Sequence, residues 1–297
     1  MRTQGAGASW HADLALTCVT LIWGATFVVV KEALDYSSVL LFLALRFSLA
    51  AVALALVFRR RYPTLFQRRA AWRGGLAAGL CLFAGYFLQT LGLRYTTASK
   101  SAFITGLAVV LVPSLGTIVY RKGPRWQEVL GVLVATAGLG LLTLQGHDLR
   151  IGEGDLLTVG CAFAFAIHVL VLARYSRRAG FEGLSLIQIS TVAVVSLGTF
   201  WWAETPRIVW CPSLLIALAI TGLLATALAF TVQSWAQQHT TPTRTALILA
   251  LEPVFAALTS FLVAGEMLSR RSLLGGALIL GGIIVVQLKP ATAGEHP

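Results

Sequence analysis

Tyr95-Thr96-Thr97-Ala98-Ser99-Lys100-Ser101-Ala102-Phe103-Ile104 returns 144 residues later as His239-Thr240-Thr241-Pro242-Thr243-Arg244-Thr245-Ala246-Leu247-Ile248. The register holds outward from this core, with Gln89 matching Gln233, and Gly131 and Gly138 matching Gly275 and Gly282. Each copy lies in a long apolar region, so the repeated unit is a set of membrane helices. Internal duplication of this kind is one way to build a two-sided pathway through a bilayer, so the repeat bears on function as well as ancestry.

Composition agrees. The 297 residues are 57% hydrophobic and only 12% charged, with a mean hydropathy of +0.80. A soluble domain carries about 25% charged residues, so most of this chain belongs in lipid. The net charge of +11 does not point to nucleic acid, because the basic residues sit in short loops and form no continuous patch. Cys18, Cys81, Cys161 and Cys211 are scattered without a C-x-x-C, which argues against a disulfide framework and a metal site. The first span is read as retained rather than as a signal peptide, since the repeat needs it.

Runs of roughly 16 to 23 apolar residues suit a hydrocarbon core about 30 Å thick. Ten are present: Leu14–Val30, Val39–Phe58, Gly74–Leu91, Ala102–Tyr120, Val129–Leu144, Leu156–Leu172, Leu184–Trp201, Leu214–Ala236, Thr245–Ala264 and Leu273–Leu288. They are continuous rather than alternating, which predicts helices and not a barrel. Arginines cluster after spans two, four and six (Arg59 to Arg61, Arg121, Arg125, Arg174, Arg177, Arg178), placing those loops and both termini in the cytoplasm. Arg270 and Arg271 depart from that bias. Trp10, Trp72, Trp126, Trp202 and Trp210 fall at span ends, as interfacial anchors do.

Five spans per repeat is an odd number, so equivalent helices run in opposite directions. The expected fold is an all-α integral membrane protein of ten transmembrane helices, arranged as two inverted five-helix repeats (residues 14–144 and 156–288) around a central cavity. Such a pair exchanges conformations to give alternating access.

Polar residues inside the spans are the candidate site. Arg46 sits in mid-span, where an unpaired arginine costs about 2.5–3.5 kcal/mol on insertion scales. It is either a clamp between helices or a pathway charge. Glu252 is the single acid deep in a span, and Pro253 beside it predicts a kink that exposes polar backbone. Its carboxylate suits a substrate ammonium, a carried proton, or an ion pair with Arg46. Lys100 and Arg244 are repeat-equivalent cations in the first turn of their helices, against the helix dipole. They either snorkel or bind an anionic group. His168 is packing or pathway lining. Gln89 and Gln233 are interhelical glue or substrate contacts, with Tyr86 one turn before Gln89 on the same face. Gly75 with Gly79, and Gly275-Gly276 with Gly281-Gly282, allow close helix approach, either within the chain or in a homodimer. No H-E-x-x-H, phosphate-binding glycine loop or G-x-S-x-G supports an enzyme.

Ile22-Trp23-Gly24-Ala25-Thr26-Phe27, Leu45-Arg46-Phe47 and Gly92-Leu93-Arg94-Tyr95-Thr96-Thr97-Ala98 resemble the EamA-type family of the drug/metabolite transporter superfamily. So do Phe103-Ile104-Thr105-Gly106, Leu251-Glu252-Pro253-Val254-Phe255 and Gly265-Glu266. The resemblance covers nearly the whole chain. It implies ten helices in two inverted repeats, and export of amino acids or related metabolites across a bacterial inner membrane without a cofactor. Other members of the superfamily move nucleotide sugars or sugar phosphates. On this reading Trp23, Phe27, Tyr86, Gln89, Phe103, Thr105, His168, Gln233, Trp235 and Glu252 line a substrate cavity. The partners are then a small metabolite and the lipid bilayer, with no nucleic acid.

Overall fold

The computed structural model describes residues 6–61, 68–92, 95–96, 98–121, 123–144, 151–264 and 269–287. Helices dominate: α1 (Ala6–Tyr36), α2 (Val39–Phe58), α3 (Arg69–Gly92), α4 (Ala98–Gly106), α5 (Ala108–Tyr120), α6 (Trp126–Thr143), α7 (Glu153–Ala179) and α8 (Phe181–Ala203). The chain continues with α9 (Pro212–Ala219), a π-helical segment (Ile220–Leu228), α10 (Ala229–Ala236), α11 (Pro242–Leu249), α12 (Glu252–Ala264) and α13 (Arg270–Gln287). The apolar runs leave the backbone nowhere to bond in lipid except to itself, which is why they are helical.

Among the described residues, seven helices are long and apolar enough to cross a membrane: Val39–Arg61, Arg69–Gly92, Ser101–Tyr120, Trp126–Thr143, Glu153–Ala179, Phe181–Ala203 and Pro212–Ala236. Expected spans one, nine and ten fall on α1, on α11 with α12, and on α13. Large apolar side chains such as Val57, Ile118 and Leu262 lie open on the outer surface, as lipid contact requires. The five tryptophans read as interfacial anchors are all exposed.

Two irregularities interrupt the expected helices. The first is a matched pair of breaks. Span four parts at Leu107, whose amide is shared between the carbonyls of Phe103 and Ile104, both at 3.1 Å. Span nine parts between Leu249 and Glu252, where Leu251 N donates to Ile248 O at 3.0 Å in place of the usual α-helical partner. The kink expected at Pro253 is therefore a break, with Glu252 opening α12. Ala108, which opens α5, occupies the same place in the repeat as Glu252. The second irregularity is the π segment in span eight, where continuous α-helix was expected.

Glycines set the closest approaches. A Cβ on Gly131 would lie 2.6 Å from the Gly282 carbonyl oxygen, and one on Gly138 would lie 2.5 Å from that of Gly275. The reciprocal clashes occur at Gly282 and Gly275, so α6 and α13 cross antiparallel with backbones touching. Gly75 and Gly79 bring α3 onto Ile187 and Thr191 of α8 in the same way. These contacts lie within the chain, although Gly281 faces open space.

Candidate functional site

Arg46 is the centre of the buried polar constellation. It lies mid-way along α2, only 3% exposed, and its Nε donates to Thr226 Oγ1 at 2.7 Å. Thr226 in turn donates to the Thr221 carbonyl, five residues back, at 2.8 Å. That i to i−5 bond follows the geometry of the π segment, a feature that tends to mark functional sites. Arg46 Nη2 also makes a long 3.5 Å bond to the Tyr86 hydroxyl. Its guanidinium carbon stands 5.1 Å from the Tyr86 ring centroid and 5.6 Å from that of Phe47, within cation–π range.

No carboxylate of the described residues lies within 4.0 Å of Arg46, so the ion pair with Glu252 considered from the sequence is not formed here. Arg46 and Glu252 both lie close enough to the Tyr86 hydroxyl to act on it electrostatically. Tyr86 and Glu252 are each partly buried.

Aromatic rings wall this centre. Tyr86 meets Phe165 edge-on at 5.6 Å and Phe230 at 6.4 Å, and Trp23 stacks obliquely on Phe230 at 5.1 Å. Trp23 Nε1 donates to the Ala225 carbonyl at 2.8 Å. One residue on, Gly24 seats α1 against the break in span nine: a Cβ there would lie 2.7 Å from the Glu252 carbonyl oxygen. The Trp23-Gly24 pair thus joins α1 to the π segment of span eight and to the break in span nine.

The remaining expected residues divide. His168 is 2% exposed, with Nε2 2.9 Å from Gln188 Oε1, while Gln188 Nε2 donates to Ser234 Oγ at 3.0 Å. A carboxamide oxygen only accepts, so in this arrangement Nε2 of His168 carries the proton. Gln89 Nε2 donates to Thr105 Oγ1 at 3.3 Å, and Thr105 lies 3.8 Å from Cys161 Sγ. Gln233 is buried, with no donor to its side-chain oxygen among the described residues. Phe103 and Trp235 pack in a different cluster, around Leu16, Leu139 and Leu247, and the Trp235 ring meets His239 at 5.1 Å. The structure therefore does not bring Trp235 to the Tyr86 aromatics. The side chains of Phe27 and Lys100, and residues Gly265-Glu266, lie outside the described residues.

Sequence reasoning missed Thr226, Phe165, Phe230 and Gln188. Thr226 was hidden among the many threonines of the apolar spans, and Gln188, one of the few glutamines there, has no repeat copy in the other half to mark it. It also missed the partner of Arg244, which is Asp13 (Nη2 to Oδ2, 2.5 Å). Thr240 donates to the other oxygen of Asp13 at 3.4 Å.

A helical bundle with an apolar exterior, broken helices and a buried arginine beside aromatic walls defines a polytopic membrane protein with an internal polar site. A model of the EamA-like transporter family matches residues 10–144 and again residues 152–288. An uncharacterized transporter of Archaeoglobus fulgidus is 35% identical over 279 residues, covering 94% of this chain and 86% of its own. The uncharacterized transporter YwfM of Bacillus subtilis is 28% identical, covering 94% of each chain. A solved crystal structure shares the fold, with a TM-score of 0.78 at 18% identity over 94% of this chain and 96% of that one. The chain belongs to the EamA-like transporter family and is a multi-pass membrane transport protein.

Proposed function

We propose that the protein is a secondary transporter that exports amino acids or related small metabolites by alternating access, without ATP and without catalysis. The observation that carries this reading is Arg46. A buried guanidinium whose partners among the described residues are hydroxyls and aromatic rings keeps a charge that a substrate carboxylate neutralises. Glu252, near the same tyrosine, offers the opposite sign to an ammonium. The aromatic walls bury an apolar side chain between them.

The architecture in this reading is ten spans in two inverted repeats, residues 14–144 and 156–288, around a central cavity. Support comes from the family model matching each half. The matched breaks at Leu107 and before Glu252, and the reciprocal glycine crossing of α6 and α13, point the same way. Broken helices at equivalent places are how such transporters present polar backbone at mid-membrane. The arginine-rich loops support a topology with both termini cytoplasmic, and the bacterial inner membrane is what the family resemblance implies. The alternative, exchange of anionic sugar phosphates or nucleotide sugars through Lys100, Arg244 and Arg46, loses support at Arg244, which Asp13 engages.

The test is counterflow in proteoliposomes, with a panel of amino acids and phosphate esters, run with and without a pH gradient. Saturable, exchange-stimulated amino-acid flux is expected. Flux inhibited only by phosphate esters, or flux that never saturates, would overturn the reading.

A further inference from the structure

A cavity of about 660 Å³ lies apart from the Arg46 cluster, where α5, α7 and the junction of α10 with α11 converge. Arg125, Arg174, Arg177, Arg178 and Arg244 line it. The one acid in the lining, Glu128, is occupied in accepting from the Arg125 backbone amide at 3.0 Å. Arg177 Nε donates to the Gln238 carbonyl at 2.8 Å, and Arg244 is held by Asp13. Arg174 and Arg178 are exposed, with no carboxylate of the described residues within 4.0 Å. The cavity therefore carries a surplus of positive charge.

Two further observations say what fills it. Gln237, 1% exposed, lines the same cavity; its Nε2 donates to the Val169 carbonyl at 3.0 Å, while its Oε1 has no donor among the described residues. The lining residues Thr117, Tyr120, Arg125 and Gln127 are also neighbours in sequence of Ile118, Val119 and Trp126, which are exposed. The cavity thus borders a surface that meets acyl chains in a bilayer.

We propose that this cavity binds a hydroxyl-bearing organic phosphate, supplied as the headgroup of an acidic phospholipid whose chains run along α5 and α6. Arg174 and Arg178 take the phosphate, and a headgroup hydroxyl donates to Gln237. Basic pockets between transmembrane helices on the cytoplasmic side recognise lipid phosphate by this chemistry. The site shares no lining residue with the Arg46 cluster and does not rest on the transport reading.

The experiment measures binding of fluorescent phosphatidylglycerol to the full-length, delipidated protein in detergent, with phosphatidylcholine and phosphatidic acid as comparisons. Phosphatidylglycerol should bind more tightly than phosphatidylcholine. The double variant Arg174→Gln/Arg178→Gln should lose on the order of tenfold or more in affinity for phosphatidylglycerol and nothing for phosphatidylcholine. Gln237→Leu should narrow the preference for phosphatidylglycerol over phosphatidic acid, which lacks the headgroup hydroxyl. Competition by free glycerol 3-phosphate supports the phosphate chemistry and assigns it to a soluble ligand; no competition assigns it to the lipid. Equal binding of both neutral and acidic lipids, or wild-type binding by the double variant, overturns the proposal. Because the readout is lipid binding, its failure leaves the transport reading intact, and a lack of amino-acid flux leaves this site intact.

Discussion

Asp13 and Arg244 lie 231 residues apart in the chain, yet their Oδ2 and Nη2 atoms are 2.5 Å apart, with both side chains at most 14% exposed. Thr240 donates to the same carboxylate. In the other half Thr96, the repeat copy of Thr240, donates to Asp155 near the start of α7. Each half thus reaches, through the same threonine, an aspartate in the first helix of the other half.

Removing one member of a partly buried ion pair strands the other. Arg244→Gln should destabilise the protein by about 3–5 kcal/mol, because Asp13 is left charged in a poorly solvated place. The double variant Asp13→Asn/Arg244→Gln should recover most of that loss. Unfolding midpoints of the full-length protein in detergent check both. A double variant no more stable than the single would show that the pair is not what holds α1 to α11.

Glu252 opens α12, and a glutamine there keeps the size and the helix start while removing the charge. Glu252→Gln should abolish amino-acid counterflow and leave the unfolding midpoint within a few degrees of wild type. Unchanged flux in proteoliposomes would reduce Glu252 to a structural element of the break.

The sequence made the spans legible because lipid demands long apolar runs, and those runs need no tertiary knowledge to find. The break at Glu252 was legible through Pro253. Its counterpart at Leu107 was not, since no proline stands there and only the repeat register relates the two. The π segment was equally hidden: Ile220 to Leu228 reads as ordinary apolar helix, and its residues Ala225 and Thr226 are the ones that accept from Trp23 and Arg46. Arg46 announced itself by composition, but its partner Thr226 lies 180 residues away and no local pattern links them. Trp235 shows the converse, a position without its neighbours. Its mid-span position suggested lining, whereas helix rotation turns its ring to His239.

If Arg46 receives a substrate carboxylate, charge and fork geometry should separate in variants. Arg46→Lys keeps the charge but loses the planar donors that reach Thr226 and Tyr86. Its KM for amino acids should rise about tenfold, the scale of one charge-assisted hydrogen bond. Arg46→Gln should bring flux to background. Amines lacking a carboxylate should inhibit Arg46→Lys and wild type alike. Equal KM values for amino acids in Arg46→Lys and wild type would instead mark Arg46 as a clamp.

The glycine crossing of α6 and α13 gives the sharpest steric prediction. A Cβ at Gly138 would meet the Gly275 carbonyl oxygen at 2.5 Å and the Ile279 nitrogen at 2.9 Å, which are backbone atoms that no rotamer change can move aside. Gly138→Ala should therefore destabilise by about 1–3 kcal/mol through overpacking, despite the better helix propensity of alanine. Gly281, on the same helix as Gly275, has nothing within 4 Å of its would-be Cβ. Gly281→Ala should be neutral or stabilising by up to about 1 kcal/mol. Unfolding of both variants side by side in detergent decides it. Equal stability of the two would mean that the helices can separate without cost, and the close antiparallel crossing could not then be what fixes the two halves together.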